Sequence, residues 1–292
     1  MLYKEIIPYI EKKLKGGGIN PDDIKIEARV IAEDIGGLTL TAITINPENE
    51  ILPGKLAAME KVINTRVYER VPLQYLVPLW DWYGVKLKLA DGVLCPRQET
   101  ELLIDIIRDK MKEKGLDAPL FLDLCTGSGN IAIMLKKIFP KSTVYAVENS
   151  TMAIPMFKFN CKYNETEINF VQGNVMEQTT LVKFNDENGL PLQFDVIVSN
   201  PPYLTKIEMN TLQPELKHEP EAALYGGFDG LDFYRVIPVL YKNFIKDGGM
   251  LLFEIGQEQG KDVRRIMNKA GFRDIKVIHD LGDNDRAVLG IK

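Results

Sequence analysis

From Pro119 onward, short apolar runs rich in β-branched residues alternate with stretches of helical period, and this alternation confines the chain to parallel strands covered by helices. The runs predict strands at 120–125, 143–148, 168–172, 194–199 and 249–255, with helices at 130–139, 151–163, 231–246 and 257–270. The tail, 272–279 and 286–291, has no helical stretch between its halves and is expected to close the sheet as an antiparallel hairpin. Ahead of this region the pattern is different. Ile6, Ile10 and Leu14 share a helical face that stops at Gly16-Gly17-Gly18. Asn20-Pro21 then reads as an N-cap and first-turn proline for a helix carrying Ile24, Ala28, Ile31 and Ile35, and a third helix follows Pro53-Gly54 with Leu56, Met59, Ile63 and Val67. Residues 73–95, with Trp80, Trp82, Tyr83, Val85 and Leu87, suggest a strand pair turning at Tyr83-Gly84 or closing at Asp91-Gly92. The expected domains are therefore a helical bundle at 1–72, a β-hairpin linker at 73–95 and an α/β domain at 96–292.

Composition narrows the chemistry. Three cysteines, Cys95, Cys125 and Cys161, form no Cys-x-x-Cys pair, and the only histidines are His218 and His279. A disulfide framework, a structural zinc site and a Ser-His-Asp hydrolase all lack their materials. A net charge of −5 argues against a dominant phosphate-backbone footprint. No apolar run approaches the roughly 18 residues of a membrane helix, and the N-terminus is amphipathic, so a cytoplasmic protein is expected.

Two stretches carry the chemistry. Phe194 to Ser199 is a buried strand in pattern, and Asn200-Pro201-Pro202-Tyr203 cannot continue it. The two prolines remove two N–H donors and leave carbonyl acceptors, Asn200 adds a side-chain carbonyl, and Tyr203 offers a ring to cover a flat group. That combination suits an amide or an aromatic amine. The second stretch runs from Phe121 through Asp123, Cys125, Thr126, Gly127, Ser128 and Gly129 to Ala132: a strand, a glycine turn and a helix start. Gly127-x-Gly129-x-x-Ala132 fits the dinucleotide fingerprint, with Glu148 nineteen residues beyond the second glycine. Taken alone, it leaves a nicotinamide cofactor and S-adenosylmethionine both open. Asp123 favours the second, because a carboxylate beside the loop repels a pyrophosphate and suits a ligand bearing an ammonium and a sulfonium. Glu148 is placed to accept both ribose hydroxyls, and Gly173-Asn174 is either an adenine contact or a plain turn. Arg97, Thr100 and Glu101 either line the pocket or cap a helix.

With these residues in view, the chain resembles the HemK family, the methyltransferases that modify the glutamine of peptide chain release factors. The likeness extends to Pro72-Leu73-Gln74-Tyr75, Pro96-Arg97-Gln98-Glu99-Thr100-Glu101, Glu219-Pro220 through Gly230, Glu254-Ile255-Gly256 and Asp280-Leu281-Gly282. It implies a Rossmann-like, seven-stranded class I S-adenosylmethionine-dependent methyltransferase domain and an N-terminal helical domain that helps hold the release factor. The implied substrate is the glutamine of the Gly-Gly-Gln loop, bound by Asn200, Pro201, Pro202 and Tyr203, with catalysis assigned to Asn200, Pro201 and Tyr203. The cofactor would meet Asp123, Cys125, Thr126, Gly127, Ser128, Gly129, Glu148, Asn174, Val175 and Asn200, without a metal. Cys125 stands where glycine is usual and permits the turn if its φ is negative. Gln98 replaces a proline, Glu148 an aspartate, and Asn174-Val175 an Asp-Trp pair, the last removing aromatic cover from the adenine. Residues 1–69 match only in length and helical character. Glutamine of a ribosomal protein, or an adenine amino group of nucleic acid, are the alternative substrates.

Overall fold

The computed structural model describes residues 1–292. By packing, the chain forms two units, Met1–Trp80 with Gln213–His218, and Asp81–Leu212 with Glu219–Lys292.

The first unit is helical. Helix α1 (Tyr3–Gly16) places Ile6, Ile10 and Leu14 on one fully buried face. At its start the Glu5 carboxylate accepts the free Leu2 N–H at 2.7 Å. Helix α2 (Pro21–Val30) opens as the sequence predicts, with the Asn20 side chain accepting the Asp22 N–H, and it runs into a π-helical turn, Ile31–Ile35, before Gly36. Helix α3 (Leu40–Ile45), capped by Thr39, was not anticipated: it buries no side chain, so its residues carry no face to detect. Helix α4 (Pro53–Asn64) adds Met59 and Ile63 to the core and ends in a π-helical turn, Thr65–Glu69. The short α5 (Leu73–Leu76) adds Leu73. Inside this unit, Arg66 pairs with Glu27 at 2.9 Å and with Glu215 at 2.8 Å. Both Arg66 and Glu27 are buried, so the pair fixes geometry more than it stabilises the unit.

A two-stranded ribbon, β1 (Trp80–Trp82) and β2 (Val85–Leu87), turns at Tyr83 and Gly84, both at positive φ. Helix α6 (Glu101–Glu113) follows a single 3-10 turn, Gln98–Thr100. Then come β3 (Leu120–Leu124), α7 (Asn130–Ile138), β4 (Thr143–Glu148), α8 (Ala153–Tyr163), β5 (Asn169–Gln172), the short α9 (Gln178–Leu181) and β6 (Phe194–Ser199). Two short helices, α10 (Lys206–Met209) and α11 (Glu221–Leu224), precede α12 (Asp232–Tyr241), β7 (Ile245–Glu254), α13 (Gly260–Lys269), β8 (Arg273–His279) and β9 (Asp285–Ile291).

The seven strands lie in the order β5-β4-β3-β6-β7-β9-β8. All neighbours are parallel except β9, which runs antiparallel to both β7 and β8. The expected closing hairpin is present, with its second strand inserted between β7 and β8. Every residue of β6 is buried, as a strand covered on both faces demands, and Val196, Ile197 and Val198 each contribute roughly 1.5–3 kcal/mol by burial. Helix α12 is shorter than predicted. Its apolar period continues past Tyr241, but Phe244 closes a 3-10 turn and Ile245 pairs with Phe194, so the segment expected to be helical to 246 enters the sheet.

The chain leaves β3 toward β4 and β5 on one side, and continues through β6 toward β7 on the other. The boundary between β3 and β6 is thus a topological switch point, where an open α/β sheet forms a crevice at its strands' carboxyl ends. In register, Leu124 lies opposite both Val147 and Ser199. The loops that begin at Cys125, Asn149 and Asn200 consequently emerge side by side.

Candidate active site

At that edge a cavity of about 530 Å³ opens within the second unit. Of the residues singled out from sequence, Cys125, Thr126, Gly127, Ser128, Glu148, Asn174, Val175, Asn200 and Pro202 line it. Asp123, Gly129, Pro201 and Tyr203 do not. Pro201 is buried and Tyr203 partly so. Thr100 lines the cavity and makes no capping bond with its side chain, while Arg97 pairs with the buried Glu219 and Glu101 stays outside.

The glycine loop is built on left-handed backbone. Cys125, Gly127 and Gly129 have φ of 62°, 55° and 85°. The condition set from sequence, a negative φ at Cys125, is not met: the turn after β3 takes the left-handed region that glycine adopts freely and cysteine does not. At Gly129 a Cβ would stand 2.8 Å from the Phe157 ring, so α8 packs against the loop only because that carbon is absent.

Asp123 supports this loop from behind. It is fully buried, its Oδ2 accepts the Thr126 hydroxyl at 2.5 Å, and its Oδ1 has no partner. Burial pushes the carboxyl up to about 7 against the opposing bonds from Thr126 and Ala132. Glu148, at the end of β4, clamps two loops together. Its Oε2 accepts the Gly127 N–H at 2.9 Å, and its Oε1 accepts the N–H groups of Asn149 and Ser150 at 2.8 and 2.7 Å. Three of about four acceptor positions are therefore filled by the chain itself, which leaves room for one ligand hydroxyl rather than the expected two. Asn174 forms a turn as well as lining the cavity: its Oδ1 accepts the Met176 N–H, and its Nδ2 donates to Glu177. Burial also raises the Cys125 thiol far above its ordinary value, so it meets the cavity as a neutral, unreactive group.

On the other side of the cavity, Asn200 donates through Nδ2 to the Thr100 hydroxyl oxygen at 3.3 Å. Sequence reasoning missed much of the remaining wall. Val93, Leu94, Ser150 and Phe233 lie in turns or on helix ends with no motif of their own. Phe233 contributes an aromatic ring to the same cavity that Val175 lines. The family model described as "Methyltransferase small domain" matches residues 97–224, which takes in the glycine loop and Asn200. Across the whole length, the chain is 32% identical over 293 residues to the release factor glutamine methyltransferase of Fusobacterium nucleatum subsp. nucleatum, spanning 100% of this chain and 78% of that one. The chain belongs to the release factor glutamine methyltransferase family. The Deinococcus radiodurans member is similar at 31% identity, over 99% of this chain and 98% of its own. In fold, the enzyme resembles a methyltransferase from Pyrococcus furiosus with a TM-score of 0.50 at 16% identity, over 82% of this chain and 99% of that one.

As a methyltransferase of this family, the enzyme uses S-adenosylmethionine, and the cavity fits that group. The glycine loop permits close backbone approach, the unpartnered oxygen of Asp123 places negative potential behind it, and Glu148 retains an acceptor position suited to a ribose hydroxyl. No group of three or more His, Cys, Asp or Glu side chains is arranged to hold a metal.

Proposed function

We propose that the enzyme methylates the side-chain amide nitrogen of the glutamine in the Gly-Gly-Gln loop of peptide chain release factors, with Asn200 and the Pro201 carbonyl holding that amide. The observation carrying this reading is the position of Asn200, which follows β6 and opens onto the same cavity as the glycine loop of β3. The names of the relatives supply the substrate class. On this reading Thr126 to Ser128, Glu148, Asn174 and Val175 hold S-adenosylmethionine, which supplies an electrophilic methyl group when bound, and Gly129 shapes the loop. Asp123 acts through the loop rather than by direct contact. The helical region at 1–72 serves to hold the release factor, the strand pair within 73–95 links it to the catalytic domain at 96–292, and the setting is the cytoplasm.

The chemistry explains why so few residues are needed. An amide nitrogen is a poor nucleophile because its lone pair is delocalised into the carbonyl. If the Asn200 Oδ1 and the Pro201 carbonyl oxygen each accept one N–H, the nitrogen is held with an out-of-plane face presented, and the same oxygens stabilise positive charge as it pyramidalises. Orientation of this kind is worth roughly 7–11 kcal/mol in favourable cases. Tyr203 follows Pro202 but does not line the cavity, so in this arrangement it gives the amide's plane no cover. No histidine or lysine lines the cavity, so the surplus proton leaves to water or a carbonyl.

The test is transfer of labelled methyl groups to a release factor, to the same factor with its Gly-Gly-Gln glutamine replaced, to ribosomal protein and to DNA. Label on the intact release factor alone is the expected result. Label on the glutamine-replaced factor, on ribosomal protein or on DNA would overturn the substrate assignment.

A further inference from the structure

The two ends of the Asn200 amide are alike in shape and opposite in hydrogen bonding, and only the oxygen can accept a substrate N–H. Nothing in the Asn-Pro-Pro-Tyr loop itself selects that end. The selection comes from Thr100, whose Oγ accepts from Asn200 Nδ2 at 3.3 Å. A hydroxyl carries one proton, and the acceptor beside Thr100 toward which that proton is drawn is the buried carboxylate of Glu254 at the carboxyl end of β7. With its proton so directed, Thr100 can only accept from Asn200. Thr100 and Glu254 are each 1% exposed, so water does not compete for either bond.

We propose that Thr100 and Glu254 are positioning residues, which orient the Asn200 amide so that its oxygen, and not its nitrogen, faces the methyl-accepting amide. This rests on the assignment of Asn200 above. Glu254 is a costly residue to place here for packing alone. Its Oε2 has no hydrogen-bond partner, while its backbone carbonyl is held by the Tyr234 hydroxyl at 2.8 Å.

The arrangement makes the orientation depend on one proton. Burial raises the Glu254 carboxyl to about 7, Glu99 adds to the rise, and Thr100, Arg286 and Arg97 oppose it. Arg286 is itself paired with Asp280 at 3.1 Å, and Tyr203 and Tyr234 also face the carboxyl with hydroxyls that stay neutral in this range. Once protonated, Glu254 becomes a donor to Thr100. Thr100 can then turn its own proton toward Asn200, and the amide satisfies it by rotating its oxygen inward. Its nitrogen would now face the N–H groups of the substrate, donor against donor. The rate should therefore fall as pH drops through about 7.

Asp123 titrates in the same range, so the comparison is between variants at saturating cofactor. Single-turnover rates are read from pH 5.5 to 9, the endpoints being about 1.5 to 2 pH units either side of the transition. Thr100→Val should lower kcat about tenfold at the alkaline end, with KM for cofactor and release factor unchanged, and Thr100→Ser should restore both rate and pH limb. Glu254→Gln should abolish the acid limb. Cofactor binding by calorimetry checks that each variant folds, and should Thr100→Val not fold, the limb in Glu254→Gln decides alone. Retention of the limb in Glu254→Gln, or a wild-type kcat in folded Thr100→Val, overturns the proposal. Asn200→Ala separates the levels: full activity there would sink the Asn200 assignment itself, whereas an impaired Asn200→Ala beside an unimpaired Thr100→Val sinks only the positioning role.

Discussion

The loops after β3 and β6 leave adjacent strands at one edge of the sheet, yet they use their residues in opposite ways. After β3, charged side chains hold the loop in place: Asp123 holds Thr126 from behind, and Glu148, on the cavity wall, holds Gly127 from the neighbouring strand. What remains toward the cavity is backbone and small side chains. After β6, the two prolines have no N–H to offer, and a single side-chain amide, Asn200, does the pointing. The first loop is a shaped surface maintained by bonds behind it, and the second is one oriented group. Damage to the first should therefore appear in stability and cofactor affinity, and damage to the second in rate.

The largest expected effect tests the second half of that contrast. Asn200→Ala should lower methyl transfer at saturating cofactor by about a hundredfold or more, as for loss of one preorganised transition-state contact, with cofactor affinity unchanged by calorimetry. A parallel loss of affinity would mean that the β6 loop also shapes the cofactor surface. Next in size is Gly129→Ala, which combines a φ of 85° with a Cβ 2.8 Å from Phe157. It should cost about 1–3 kcal/mol in a denaturant titration and weaken cofactor binding. Gly189→Ala is the control, since its φ is 77° with open space around the new carbon. Equal losses at the two positions would show that the packing of α8 on the loop contributes nothing.

The same contrast decides what the sequence reveals. Strands β4 and β6 are legible to the residue: β6 because a strand buried along its whole length reads as an apolar run between turn residues, and β4 because its apolar core Val144 to Val147 is bounded by Ser142 and Asn149, although its ends are less buried. The cavity's location is legible too, since loops after parallel strands converge at one edge. Helix α12 overruns in prediction because Val239 to Ile245 fits a helical period equally well, and only the pairing of Ile245 with Phe194 distinguishes the states. Helix α3 escapes because it has no buried face. Within the site, residue types announce themselves but their direction does not. Asp123 looks like a ligand contact from its place at a strand end, and the fold turns it behind the loop. Glu148 looks like a free pair of oxygens, and three backbone N–H groups already occupy it. Thr100 and Glu254 are 154 residues apart in the chain, so no spacing rule connects them.

Glu148→Gln is a smaller test of the surface maintained from behind. The substitution keeps the shape of the side chain but removes the charge that three N–H groups share, and one end becomes a donor. Cofactor affinity should fall about tenfold, the scale of one weakened charge-assisted bond, while the rate at saturation stays near that of the wild type. A loss of saturated rate instead would place Glu148 in the chemistry and break the division between the two loops.

The smallest effect is expected at Cys125, and its sign is the informative part. A left-handed backbone costs a residue with a Cβ roughly 1–2 kcal/mol, which glycine avoids, but glycine also gives up about 0.5–1 kcal/mol through the freedom it gains in the unfolded chain. Cys125→Gly should consequently raise stability by no more than about 1.5 kcal/mol. The thiol contacts the apolar core beside the sheet, and losing that contact brings the gain down further. Because the thiol stays neutral, its removal should leave the saturated rate untouched, with any change confined to cofactor affinity. Denaturation midpoints and saturated rates of the two proteins are the measurement. A stabilised variant with an unchanged rate keeps the β3 loop as a surface whose strain is incidental to the reaction. A stabilised variant that turns over more slowly would show instead that the strained turn at Cys125 helps to set the geometry in which the methyl group is transferred.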